Sequence, residues 1–192
     1  MKNILQDVSP YELDRAEKEA VEYIDDFLEY FRRCKEFESL DSVVVCRIPR
    51  SKVNFNDKQL YFQKAIELSL LKSRLTRADK LKRLKLINGI DYIKRIKDVA
   101  TTHLSYATRP GVEKFKSGNK PYPGITKDTC DISDKIKDQV VLLIDDIYTI
   151  GVNVVEDCIQ ALYDKGAKSV IFYAVGRTVK NDNILAPARR LK

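Results

Sequence analysis

Apolar positions along this chain recur with two different spacings, and each spacing predicts a different kind of element. Ala20, Ile24, Phe27, Leu28 and Phe31 return every three or four residues, the period of one helix face, over a helix running to about Cys34. Its start is written in Ser9-Pro10-Tyr11-Glu12: a serine N-cap, proline at the first helical position, and a glutamate that completes a capping box. Ser42 to Ile48, SVVVCRI, is β-branched and apolar and predicts a strand closed by Pro49. Asn56-Asp57 can cap a second helix carrying Leu60, Ala65, Leu68 and Leu71. Residues 72–97 are dense in Lys and Arg, and a helical stretch through Leu81, Leu84 and Leu86 is expected to end near Asn88-Gly89. Ile90 to Ile96 suits another strand, with an ambiguous period.

The strongest signal comes later. Val140 to Ile144 is valine, leucine or isoleucine throughout, with no alternation, as in a strand buried on both faces of a parallel sheet. Two adjacent carboxylates follow, Asp145 and Asp146, and these should sit where the sheet meets solvent, since buried and unpaired they would cost too much. Asn153 to about Lys165 reads as a helix stopped by Gly166, and Lys168 to Val175 as the last clear strand. Between the two halves, Ala100 to about Gly124 is rich in Thr, Ser, Gly, Pro and Lys, a long loop of the kind that carries function. Strands alternating with helices predict an α/β fold: a mostly parallel sheet flanked by helices, with an N-terminal helical extension over residues 1–40 and the main domain over 41–192.

Composition narrows the partners more than the fold. At 192 residues one such domain can bury its own core, roughly 70% of its unfolded surface. Cys34, Cys46, Cys130 and Cys158 contain no C-x-x-C pair, so neither a zinc ribbon nor a redox dithiol is suggested, and reduced thiols in a cytoplasmic protein are expected. The N-terminus turns polar too early for a signal peptide, and no stretch approaches membrane-spanning length. A formal net charge of +7 favours anionic partners such as phosphorylated metabolites or nucleic acid. The basic segment 72–97 has no base-reading motif beside it, so nucleic acid ranks second and a solvated helix face is the simpler explanation. His103, the single histidine, has no carboxylate or cysteine near it in sequence to make a catalytic pair.

In parallel sheets ligands bind beyond the carboxyl ends of the strands. There the two aspartates meet the segment Ile147-Tyr148-Thr149-Ile150-Gly151-Val152-Asn153, which opens the next helix. A helix N-terminus offers free N–H groups and partial positive charge, which suits a phosphate. Gly151 would let the backbone approach it closely, and Thr149 and Asn153 add side-chain donors. A phosphate beside two carboxylates that accept from hydroxyls outlines a ribose 5-phosphate site. The pair alone would be read as solvated turn residues; the following loop and helix are what tip the balance.

IDDIYTIGVN resembles the 5-phosphoribosyl 1-diphosphate (PRPP) signature of type I phosphoribosyltransferases: apolar strand, two acids, then Thr-x-Gly-x-Thr. Through EDCIQALYDKGAKSVIFYAVGRT the resemblance extends to the ComF-like branch of that family, over about residues 138–178. It implies a Rossmann-like core in which Asp145 and Asp146 engage the ribose hydroxyls and residues 147–153 wrap the 5-phosphate. VVVCRIPRSK matches the family's first strand and pyrophosphate loop, which gives Pro49, Arg50, Ser51 and Lys52 the pyrophosphate. Arg109 in the 100–124 loop, with Tyr106, Lys114 and Lys116 behind it, would close over the leaving group. Mg²⁺ is implied as cofactor, held through substrate and water near Asp145 and Asp146. Ile150 and Asn153 stand where the family often has Thr or Ser, and the N-terminal helix stands in place of a zinc ribbon common in the branch. The implied activity is transfer of phosphoribosyl from PRPP to a base or amine with release of pyrophosphate. PRPP or a nucleoside 5′-monophosphate would be the ligand, a homodimer is reasonable, and no membrane is involved. The alternative is a non-catalytic module that senses PRPP or a nucleotide, linked to DNA uptake or phage defence.

Overall fold

A computed structural model describes residues 9–54, 60–75, 84–99, 125–149 and 153–177 of the chain. The first helix, α1 (Pro10–Arg33), begins as its sequence dictates. Ser9 Oγ accepts from the Glu12 amide, and the Glu12 carboxylate accepts in return from the Ser9 amide at 2.9 Å. Ala20, Val21, Ile24, Leu28 and Phe31 are its buried stripe.

Four parallel strands form the main sheet: β1 (Ser42–Arg47), β2 (Lys85–Asn88), β5 (Val140–Tyr148) and β6 (Ser169–Arg177), in the order β2-β1-β5-β6. A small antiparallel pair, β3 (Ile93–Arg95) and β4 (Cys130–Ile132), stands apart from it. Strand alternation divides the core in two. Val43, Val45, Leu142 and Ile144 point to one face and pack under α1 and α2 (Tyr61–Leu75). Val44, Cys46, Val141 and Leu143 point to the other and pack under α3 (Val154–Asp164), whose Val155, Cys158 and Leu162 are buried. The N-terminal helix is therefore a layer over the same core as the sheet.

Several expectations need correcting. The buried face of α2 is Ala65, Ile66, Ser69 and Leu70; Leu68 and Leu71 are 42% and 52% exposed. Ala65, Ser69 and Ser73 follow one another every fourth residue, and two of them bond to α1: Ser69 Oγ donates to the Val21 carbonyl, and Arg32 Nη2 donates to Ser73 Oγ at 2.7 Å. Small residues there let the two helices approach, which turns the leucine pair outward. The helix expected through Leu84 and Leu86 is instead β2, with Leu84 and Leu86 buried. Four residues are too few to display a strand period. Of the Ile90 to Ile96 stretch, Ile90–Tyr92 is a 3₁₀ turn and only Ile93–Arg95 is strand. The apolar run ends at Ile144, but the strand does not; β5 continues through both aspartates to Tyr148 because β6 extends alongside it, Ile147 opposite Gly176 and Tyr148 opposite Arg177. Asn56, Asp57, Leu81 and the 100–124 loop lie outside the described residues.

The sheet order reverses at one position. From β1 the chain crosses through α2 to β2 on one side, then returns to β5 on the other side of β1. The helices accordingly cover opposite faces, and the order reverses between the carboxyl ends of β1 and β5, the position at which sheets of this kind form a crevice. No helix among the described residues is long and apolar enough to cross a membrane.

Candidate functional site

Two chain segments meet at that crevice. Arg47 lies beside Ile144 in the ladder, and the Ile48 amide still bonds the Ile144 carbonyl at 3.2 Å. The exit of β1, Pro49 to Lys52, is thereby set against Asp145 and Asp146. The structure thus brings together the sequence-predicted acid pair and the predicted basic loop, residues nearly a hundred positions apart.

The exit loop is held from outside. Arg95 Nε donates to the Arg50 carbonyl at 2.8 Å, the Val99 amide donates to the Ser51 carbonyl at 2.8 Å, and the Val53 amide donates to Asp98 Oδ1 at 2.8 Å. Lys52 Nζ stands 3.2 Å from Asp98 Oδ2, with both side chains about half exposed, so this pair adds little to stability. Pro49 is buried.

Within β5 the alternation that sorted the core also sorts the acids. Asp145 follows Val141 and Leu143 toward α3, where the buried Cys158 thiol senses it; Asp146 follows Leu142 and Ile144 toward α2, where Tyr61 senses it. Each carboxylate accepts from the next backbone amide, Asp145 Oδ1 from Asp146 at 3.0 Å and Asp146 Oδ1 from Ile147 at 2.8 Å. Burial, reinforced by the neighbouring Asp146, raises the Asp145 carboxyl to about 7, against the pull of Arg50.

Of the loop after the acids, Ile147 and Tyr148 belong to the strand. The Tyr148 hydroxyl donates to Glu156 Oε1 at 2.9 Å, tying the strand end to α3. Thr149 is half-buried, and Asn153 takes a left-handed conformation (φ 56°) as N-cap of α3 with no side-chain capping bond. Ile150, Gly151 and Val152 lie outside the described residues, as do Arg109, His103, Tyr106, Lys114 and Lys116.

Four residues near the site are not singled out by sequence reasoning, because they come from three different elements. Arg47 ends β1; burial pulls its guanidinium down from the ordinary value, while Asp91, Glu67 and Asp145 pull it up. Tyr61, at the first position of α2, is pushed up by burial and by Asp146. Glu67 of α2 and Asp91 of the 3₁₀ turn complete the surroundings of Arg47. Only the strand-end position of Arg47 gave a signal in advance.

The crevice donors are carboxylate oxygens, the chemistry a hard cation such as Mg²⁺ takes. Among the described residues no group of three or more His, Cys, Asp or Glu could hold a metal. An Mg²⁺ here would draw most of its ligands from substrate oxygens and water, as it commonly does. Asp145 and Asp146 fit that partial role. Two clefts among the described residues lie elsewhere, between β4 and α3 (about 670 Å³, lined by Asp128, Asp131, Asp157 and Gln160) and beside β3 (about 330 Å³). No known protein-family model matches the chain, and no curated protein matches it.

Proposed function

We propose that this chain binds PRPP, or a nucleoside 5′-monophosphate, together with Mg²⁺ in the crevice between β1 and β5, and that it is a phosphoribosyltransferase of the type I, ComF-like kind. One observation carries the reading: an acid pair and a basic strand exit converge at the point where the order of the sheet reverses. On this reading Asp145 and Asp146 orient the ribose, directly or through metal-bound water, and residues 147–153 hold the 5-phosphate. Arg50 stabilises the departing pyrophosphate, whose charge grows in an oxocarbenium-like transition state. Arg109 and the 100–124 segment would exclude water from the reacting carbon. Asp145 and Asp146 would help to hold Mg²⁺, which when bound would supply charge neutralisation of the leaving group.

Calorimetry with PRPP and Mg²⁺ tests binding, and pyrophosphate release with candidate bases tests transfer. Gly151→Val should eliminate binding, because a Cβ at the closest approach would occupy the space of a phosphate oxygen, whereas Ile150→Thr should be tolerated. A folded Gly151→Val protein with wild-type affinity would remove the phosphate assignment.

A second reading, ligand sensing without turnover, has a specific observation in its favour. Regular pairing through Ile147 and Tyr148 turns the two carboxylates to opposite faces of the sheet and keeps Asp145 half-buried. PRPP binding without pyrophosphate release across purines, pyrimidines and simple amines would select this reading.

A further inference from the structure

The two outer strands of the main sheet are protected very differently. β2 is four residues long and begins at Lys85, a short edge with a charge on it. β6 runs nine residues, and from Ser169 to Val175 it has no charge, no proline and no left-handed residue to bend it. The ladder fixes which of its backbone groups face outward. The Ile144 carbonyl turns to β1, where it accepts from the Ile48 amide, so Leu143 turns its own groups to β6. In a parallel ladder a residue turned toward its neighbour lies opposite one turned away, and Leu143 lies opposite Phe172. Val170, Phe172 and Ala174 therefore direct their amides and carbonyls away from β5. The Val170 amide accordingly donates to the Tyr163 hydroxyl of α3 at 3.3 Å. The backbone groups of Phe172 and Ala174 have no hydrogen-bond partner among the described residues.

Side chains on both faces of this edge are only half-covered, whereas Val141 to Ile144 of the adjoining strand are fully buried. On one face Phe27 of α1 lies flat on Tyr173, ring centroids 3.5 Å apart. Tyr23 and Tyr30, one turn to either side of Phe27, are 59% and 67% exposed. We propose that the β6 edge is a self-association surface. Two copies pair β6 with β6, antiparallel about a twofold axis through Tyr173, and their four-stranded sheets become one. This register lets Phe172 and Ala174 of the other copy exchange both backbone hydrogen bonds. It also sets large against small, Phe172 opposite Ala174 and Val170 opposite Gly176, and brings the two Tyr173 rings together. A second copy suits the edge better than a bare peptide strand, because it brings its own α1 and α3 to cover the added strand on both faces. The uncharged run from 169 to 175 lets two chains of net charge +7 meet here without opposed cations. Such pairing requires no assignment of the ligand.

Sedimentation equilibrium of the full chain should show a dimer that dissociates on dilution. Amide exchange read residue by residue should slow at Phe172 and Ala174 as protein concentration rises. Ala174→Pro removes an outward amide and no bond to β5, and should weaken association by about tenfold or more. A wild type that stays monomeric at every concentration overturns the proposal, whether the edge then takes another protein's strand or none. A dimer whose Phe172 and Ala174 amides exchange at one rate at all concentrations overturns it too, since the contact would lie elsewhere. So does a folded Ala174→Pro chain that associates like the wild type; should that variant not fold, the exchange measurement on the wild type decides.

Discussion

At the scale of single residues, Asp145 makes the clearest forecast. Its folded-state pKa of about 7 lies above the ordinary 3.8, so the folded chain holds this proton more tightly than the unfolded chain. The contribution to stability is fully present below about pH 4 and is lost as pH rises through 7. Asp145→Asn should therefore match the wild type near pH 4 and exceed it at pH 8, by about 1–3 kcal/mol in denaturant melts. Equal stability at both values would mean the carboxyl is not desolvated. Binding that depends on Mg²⁺ should run the other way and strengthen from pH 6 to 8, because the metal needs the ionised form. Asn153 gives a second forecast. Asparagine tolerates the left-handed backbone that a β-branched residue resists, which is a physical reason for its presence at this φ of 56°. Asn153→Thr should destabilise by about 1–2 kcal/mol and Asn153→Gly by almost nothing; the opposite order in thermal melts would reject this account.

Among the elements, legibility followed the length and purity of the pattern. The capping box at Ser9, the β-branched run at Val43 and the glycine stop at Gly166 (φ 91°) all announce themselves locally, and each is where the sequence puts it. The leucines of α2 misled, because leucine spacing says a helix has an apolar face but not that small residues will take the buried one. Strand β2 was hidden for a different reason: four residues beside a lysine-rich stretch become a strand only through pairing with β1. The same crossing explains Gly89. A Cβ there would run into Val44 Cγ1 and reach 3.0 Å from Cys46 Sγ, so the chain leaving β2 passes directly over β1. Gly89→Ala should cost about 1–3 kcal/mol by overpacking. A melting temperature unchanged by this substitution would contradict the close passage.

For the whole molecule, the two-faced core and the order β2-β1-β5-β6 set the acid pair beside the basic exit of β1. The acid pair was legible because it ends an unmistakable apolar run. Its distribution over two faces was not, because the continuation of β5 is imposed by β6 and appears nowhere in the residues themselves. Arg47, Glu67 and Asp91 were illegible as a group for the same reason: three elements must fold before they meet. The net charge of +7 belongs to this scale as well. Any duplex DNA binding through the basic 72–97 segment should be weak and fall steeply with salt, about 0.9 in log–log slope per phosphate neutralised; tight, salt-resistant binding would promote nucleic acid over the small ligand. The most direct test of the central claim is a calorimetric titration of PRPP with Mg²⁺ into the wild-type chain and into the double variant Asp145→Ala, Asp146→Ala, with folding of both checked by circular dichroism. The account predicts saturable, Mg²⁺-dependent heat in the wild type and none in a folded double variant. No heat in the wild type, or equal affinity in both, would contradict it.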